Sequence, residues 1–149
     1  MQQNPVFKHS CPIQVRYTDI DLMAHVTNSM YLSYCDIARM QYFNHVLEEQ
    51  IGNEEESLVI ASITIDFICP IFLHEKIEVH TKTTRLGNKS IQMLQHIVNI
   101  DTKEVKSAVK SILAGFDYKK QTAIVVSEKW KMKLAAFDTD VEFKHSHNV

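Results

Sequence analysis

The sequence predicts an α+β domain: a curved antiparallel sheet wrapped around one long apolar helix, with a second helix at the C-terminal end. Three observations lead there. Residues 28–48 form an unbroken, strongly apolar run with helical spacing. Residues 58–118 change to an alternating, β-branched pattern interrupted by short turns. The 149-residue chain holds only three glycines and three prolines, so few residues interrupt regular structure.

Each element follows in order. Residues 12–17, PIQVRY, alternate and are rich in strand formers, which places the first strand there. A loop over 18–27 leads to Asn28 or Ser29, either suited to cap a helix running to about Glu48. Its apolar positions, among them Met30, Tyr31, Tyr34, Ile37, Tyr42 and Val46, cover more than one narrow stripe. Such a helix is mostly enclosed by protein, and at 1.5 Å per residue it is about 30 Å long. The acidic stretch 48–57, EEQIGNEEES, reads as a solvated connection in which Glu48, Glu49, Glu54, Glu55 and Glu56 keep the chain soluble. Strands are expected at 58–69, stopped by Pro70, then at 75–86, 90–101 and 105–118, forming a meander across turns 86–89 and 101–104. Residues 127–137 make a final amphipathic helix that buries Trp130 and Leu134, and a loose tail begins at about 138. One sheet covers only one face of the central helix. A homodimer is therefore expected, with further pairing into a homotetramer left open.

Composition narrows the function. A chain of this length is one domain, spanning 1–149, and buries about two-thirds of its unfolded surface. With 45% hydrophobic and 23% charged residues it has an ordinary globular balance, and its net charge of −2 argues against a nucleic-acid partner. No run is long enough to cross a membrane and the N-terminal ten residues lack a signal-peptide core. Cys11, Cys35 and Cys69 are widely spaced and odd in number, which suggests reduced thiols in the cytoplasm. No G-x-S-x-G elbow, P-loop or dinucleotide fingerprint occurs, and the eight histidines, including His145 and His147, show no metal-binding spacing. No metal is expected.

The chemistry concentrates in residues 16–42, RYTDIDLMAHVTNSMYLSYCDIARMQY. Asp19, Asp21, His25 and Asn28 crowd the approach to the long helix. A carboxylate-bearing loop that feeds a helix N-terminus sets a base or nucleophile beside unpaired N–H donors, an arrangement suited to attack on a polarised carbonyl. Each residue also has a plain structural role open to it. Asp21 can turn the chain, Asp19 can bind Arg16, His25 can pack or hydrogen-bond, and Asn28 can cap the helix.

These residues resemble the hotdog-fold acyl-CoA thioesterases of the 4-hydroxybenzoyl-CoA thioesterase type, whose pattern is close to Y-x-D-x-D-x-x-G-H-V-N-N-x-x-Y. The matching positions are Tyr17, Asp19, Asp21, His25, Val26, Asn28 and Tyr31. Arg39 matches an arginine late in the helix, and Leu86, Gly87 and Ser90 match a later LG-x-x-S turn. Ile20, Ala24 and Thr27 depart from the pattern, and a positive φ at position 24 would strain alanine. The resemblance implies thioester hydrolysis, with Asp21 as nucleophile or general base and backbone amides near Asn28 holding the thioester oxygen. Asp19 and His25 would assist, and Tyr17, Thr27 and Tyr31 would line the substrate. Arg85, Asn88 and Lys89, with Lys119 and Lys120 as a second basic pair, are the candidates for the coenzyme A phosphates. No cofactor is implied, since coenzyme A enters as part of a small-molecule acyl-CoA substrate. Two alternatives stand beside this reading: a thioesterase acting on acyl carrier protein, and a non-catalytic acyl-CoA-binding protein of the same fold.

Overall fold

A computed structural model describes residues 4–49 and 55–144. The elements are β1 (His9–Ile13), α1 (Asn28–Leu47), β2 (Ser57–Phe67), β3 (Ile77–Leu86), β4 (Ser90–Asn99), β5 (Val105–Asp117), β6 (Thr122–Ala123), α2 (Glu128–Phe137) and β7 (Glu142–Phe143). The strands form one sheet in the order β1-β3-β4-β5-β2, with β6 added to β5 and β7 pairing parallel to β3. All other pairings are antiparallel. This is the expected α+β arrangement of a meander packed on one long helix. Among the described residues no helix is long and apolar enough to cross a membrane.

Helix α1 starts after Thr27, which is extended, and stops at Glu48, which turns left-handed at φ 58°. Its buried residues, Tyr31, Tyr34, Cys35, Ala38, Arg39, Tyr42, Phe43, Val46 and Leu47, recur every three or four positions and make one stripe against the sheet. Ile37 and Met40 remain exposed on the opposite side. Within one chain the helix is therefore covered on one face only, not enclosed. Two apolar clusters lie along it, one around Tyr34 and Val79, the other around Tyr42 and Trp130.

Several boundaries differ from the sequence reading, each for a local reason. Strand β1 ends at Ile13, whose partner Ile77 is the first residue of β3, so residues 14–17 have no neighbouring strand to join. Tyr17–Asp19 instead form a short 3-10 turn closed by Arg16 and Asp19. Thr27 is the N-cap, and Asn28 is the first helical residue. Strand β2 stops at Phe67 because the N–H groups of Ile68 and Cys69 both turn to the Lys106 carbonyl, at 2.9 and 3.1 Å. Strand β4 stops at Asn99, whose side-chain oxygen accepts from Asp101 and Thr102 N–H, both at 2.9 Å. Gly115 permits the close crossing of residues 122–126, since a Cβ there would meet the Ile124 carbonyl at 2.5 Å.

The acidic connection is more than solvated spacing. Glu49 accepts hydrogen bonds from Trp130 Nε1 and from Lys129 Nζ, pinning the end of α1 to α2, and Glu55 pairs with Lys119 at 3.7 Å. Glu54 lies outside the described residues. The expected loose tail is docked as far as Lys144. Asp138 is 1% exposed, and its Oδ2 accepts from Tyr42 Oη at 2.5 Å and Thr83 N–H at 2.9 Å. Lys82 then reaches Asp140 at 2.5 Å, and Lys144 N–H meets the Leu86 carbonyl at 2.8 Å.

Asp138→Ala removes the acceptor for two buried donors, and a stranded buried donor costs about 1–3 kcal/mol. Urea denaturation should show a loss of about 2–4 kcal/mol, whereas a loss under about 1 kcal/mol would mean that the tail contributes little to the fold.

Candidate active site

Asp21 builds the loop that presents it. Its N–H donates to the His25 carbonyl at 2.8 Å, and its own carbonyl accepts from Ala24 N–H at 3.0 Å. Its Oδ1 accepts from Met23 N–H at 2.9 Å and His25 N–H at 3.2 Å. A bridge between Ile20 and Val26 closes the base of the loop. The tight return requires a left-handed residue, and Ala24 adopts φ 61° there. An L-residue pays for that conformation where glycine does not. With Oδ1 committed, Oδ2 of Asp21 carries no hydrogen bond to another described residue. The side chain is exposed, and Leu22 and Met23 beside it are fully or largely open to solvent.

The loop runs directly into α1. Thr27 N–H is taken by the Asp19 carbonyl at 2.9 Å, and Met30 N–H by the Thr27 carbonyl at 3.0 Å. Thr27 makes no side-chain cap, its hydroxyl instead lying 3.4 Å from that of Ser29. The backbone N–H groups of Asn28 and Ser29 have no acceptor among the described residues, at the positive end of a 20-residue helix.

Loop and helix end share an open cleft of about 240 Å³, lined by Asp21, His25, Val26, Asn28 and Tyr31 on one side and by Phe67, Ile68, Cys69 and Pro70 on the other. The Tyr31 ring meets Phe67 edge-on at 5.0 Å, and His25 meets Phe72 edge-on at 4.8 Å. Burial raises the Tyr31 hydroxyl above its ordinary value, so it stays a neutral donor. The wall from Phe67 to Pro70 was missed in the sequence reading. Its one local signal is Pro70, a strand breaker three residues beyond the end of β2, and nothing adjacent in sequence ties it to Asp21.

The remaining expected residues divide clearly. Asp21, His25, Asn28 and Tyr31 come together. Asp19 does not join them: it is 1% exposed, its Oδ2 accepts from Tyr34 Oη at 2.7 Å and Arg16 N–H at 3.0 Å, and Oδ1 pairs with Arg16 Nη2 at 3.2 Å. Burial alone would raise its carboxyl. The Tyr34 and Arg16 hydrogen bonds outweigh that and hold it below the usual range, as an anion that braces the turn. Thr27 occupies the N-cap position without a side-chain cap and does not line the cleft. Tyr17 points to solvent outside the cleft, at 79% exposure.

Arg85, Asn88 and Lys89 lie at the other end of the sheet. Phe67 pairs with Ser107, whereas the Lys89 carbonyl meets Gly115, eight positions along β5 and so about 26 Å away. Within one chain these residues do not reach the cleft. Arg85 instead borders a hollow of about 540 Å³ on the sheet face away from α1, shared with Thr64, Gln92 and Lys110, and Asn88 borders a third near α2. The first hollow is larger, yet its charges are partly neutralised by the Lys82–Asp140 pair and it offers no helix end. Among the described residues no three His, Cys, Asp or Glu side chains gather as a metal site, and His145 and His147 lie outside those residues.

Comparison with known proteins bears on the family and the fold. The family model described as the thioesterase-like superfamily matches residues 15–142. The acyl-CoA thioesterase YbgC of Helicobacter pylori is 34% identical over 95 residues, covering 62% of this chain and 69% of that protein. A thioesterase from Thermus thermophilus, solved with coenzyme A and zinc, superposes with a TM-score of 0.77 at 25% identity, covering 89% of this chain and 96% of that one. The PA5185 protein of Pseudomonas aeruginosa gives 0.80 at 24% identity over 88% and 92%. The shared architecture is the hotdog fold.

Ala24→Gly should relieve the left-handed strain. After allowance for glycine's extra chain entropy, the expected gain is about 0.5–1 kcal/mol. It is read as a higher urea midpoint at unchanged slope. A lower midpoint would show that the alanine stores no strain.

Proposed function

The chain belongs to the thioesterase-like superfamily, and on that footing we propose that it is an acyl-CoA thioesterase, hydrolysing an acyl-CoA thioester to a free acid and coenzyme A. The observation that carries the reading is that Asp21, whose Oδ2 has no hydrogen-bond partner among the described residues, lines the same cleft as Asn28, the first residue of α1, whose N–H is likewise without one. A thioester carbon is already electrophilic. It needs a nucleophile and donors for the charge that grows on oxygen, and one such donor is typically worth about 2.7–4 kcal/mol in the transition state.

In the proposed reaction the thioester oxygen rests against the amides of Asn28 and Ser29. Asp21 takes a proton from water as hydroxide adds to the carbonyl carbon, the C–S bond breaks, and the departing thiolate takes that proton from Asp21, restoring the carboxylate. Direct attack by Asp21 gives an acyl-enzyme anhydride that water then cleaves, with the same products. Both routes use only this chain's groups and water. Coenzyme A as the carrier is supported by the relatives named acyl-CoA thioesterases, and a cytoplasmic location by three unpaired cysteines.

A second copy of the chain completes the site in this reading. Strand β2 ends the sheet as an open edge, and Ile60, Phe67 and Ile68 on or beside it are exposed, as are Ile37 and Met40 on the uncovered side of α1. Phe67 and Ile68 line the cleft, and Met40 and Ile60 share a second hollow further along the same side; these apolar residues are what a homodimer would cover. Sedimentation should give a two-chain species at assay concentration, and a monomer active at full rate would refute the shared site.

Asp21→Asn should fold normally and lower thiol release by about 10²–10⁴-fold. Matched acyl-CoA and carrier-linked substrates are assayed with free-thiol detection. Undiminished turnover in the folded variant removes Asp21, faster turnover on the carrier-linked substrate reassigns the substrate, and binding without thiol release refutes the hydrolase.

A further inference from the structure

A charged cluster built on a buried lysine lies behind the cleft wall, with Glu75 partly buried and Glu104 at the surface. Lys106, on β5, is 4% exposed, and its Nζ donates to Glu75 Oε1 at 2.7 Å, Glu104 Oε1 at 2.6 Å and the Pro70 carbonyl at 3.2 Å. Glu75 Oε2 accepts from Phe72 N–H at 2.7 Å, and its Oε1 also accepts from Asn99 Nδ2 at 3.0 Å. Removing such a pair from water is expensive, and apolar residues of similar size often stabilise as well or better. Its placement suggests another use.

The segment from Ile68 to Phe72 lies between this cluster and the catalytic loop. On one side Lys106 and Glu75 grip the Pro70 carbonyl and the Phe72 amide. On the other the Ile71 carbonyl accepts from Val26 N–H at 2.8 Å, and Phe72 bridges to His25. Val26 stands two residues before Asn28, and His25 closes the Asp21 loop. A shift of the wall would thus move the carboxylate and the amides relative to each other. We propose that Glu75 and Lys106 are positioning residues for the thioester site, clamping residues 70–72 so that the Asp21 loop and the first amides of α1 keep their attack geometry. The proposal rests on the hydrolase reading for its kinetic consequence. The mechanical part stands on the hydrogen bonds alone.

The test uses the full chain carrying Glu75→Gln, and Glu75→Gln with Lys106→Met, the second being neutral so that no charge is stranded. In variants that keep wild-type circular dichroism at the assay temperature, kcat should fall about 10²-fold, the effect of a misplacement near 1 Å. KM should change less than about threefold, since ground-state contacts are untouched. Amide exchange at Val26 should accelerate while that at Val79 and Ile97, in the strands, does not. Wild-type kcat in a folded variant, or an effect confined to KM, overturns the proposal. Should neither variant fold, wild-type exchange decides: Val26 and Phe72 amides protected like Ile97 support the clamp, and exchange as fast as Met23 overturns it. If the wild-type protein releases no thiol from any acyl-CoA, the hydrolase reading fails, and the Val26 comparison still judges the clamp.

Discussion

Helix α1 begins without a side-chain cap, and the site depends on that. A capping hydroxyl would fill one first-turn donor and typically stabilise the helix by about 1 kcal/mol. Thr27 has the right chemistry for a cap, yet its hydroxyl turns to Ser29 and its N–H to the Asp19 carbonyl. Asn28, the first residue of the helix, lines the cleft with the helix dipole behind it, and neither its N–H nor that of Ser29 has an acceptor among the described residues. An acceptor arriving there satisfies groups that folding left unpaired.

Unfilled donors are useful only if the helix that carries them stays in place. Three buried polar contacts hold α1 in place, one to the turn before it and two to the sheet. Tyr34 holds Asp19 in the turn before the helix. Gln95 joins the Cys35 carbonyl to Arg39 and Thr81 near the middle. Tyr42 meets Thr83 and Asp138 toward the far end. Apolar packing alone tolerates small slides and repacking. A polar contact does not, because each displaced partner is stranded in low dielectric. The Asp138 contact also explains why the chain returns after α2 to run beside β3.

The two faces of the molecule differ in a way that bears on function. The open β2 edge and the uncovered side of α1 expose apolar side chains, Ile60 and Phe67 on the strand and Ile37 and Met40 on the helix. The sheet face away from α1 carries threonines, glutamine and lysines around its hollow. The β3–β4 turn, where basic residues were expected to meet phosphates, projects from the end opposite the cleft. Chemistry and basic turn are thus separated by the length of the sheet within one chain.

The elements were legible in the sequence because each depends on neighbours in the chain. Helical spacing in 28–47, two-residue alternation from β2 to β5, and the cap and turn residues between them all act over a few positions. The same holds for the loop from Asp21 to Asn28, whereas the positive φ of Ala24 was signalled only by the glycine that the resembling family carries there. Tertiary structure decided what lies across from those residues. Asp19 and Asp21 look alike in sequence, but Tyr34, 15 residues away, draws the first into the interior. The wall from Phe67 to Pro70 faces Asp21 only because β2 returns past the start of α1. Tyr42 and Asp138 are 96 positions apart, so no local pattern could announce that the tail is held. Local periodicity encodes which face of an element is apolar, whereas the partner of a buried polar group is set by the path of the whole chain.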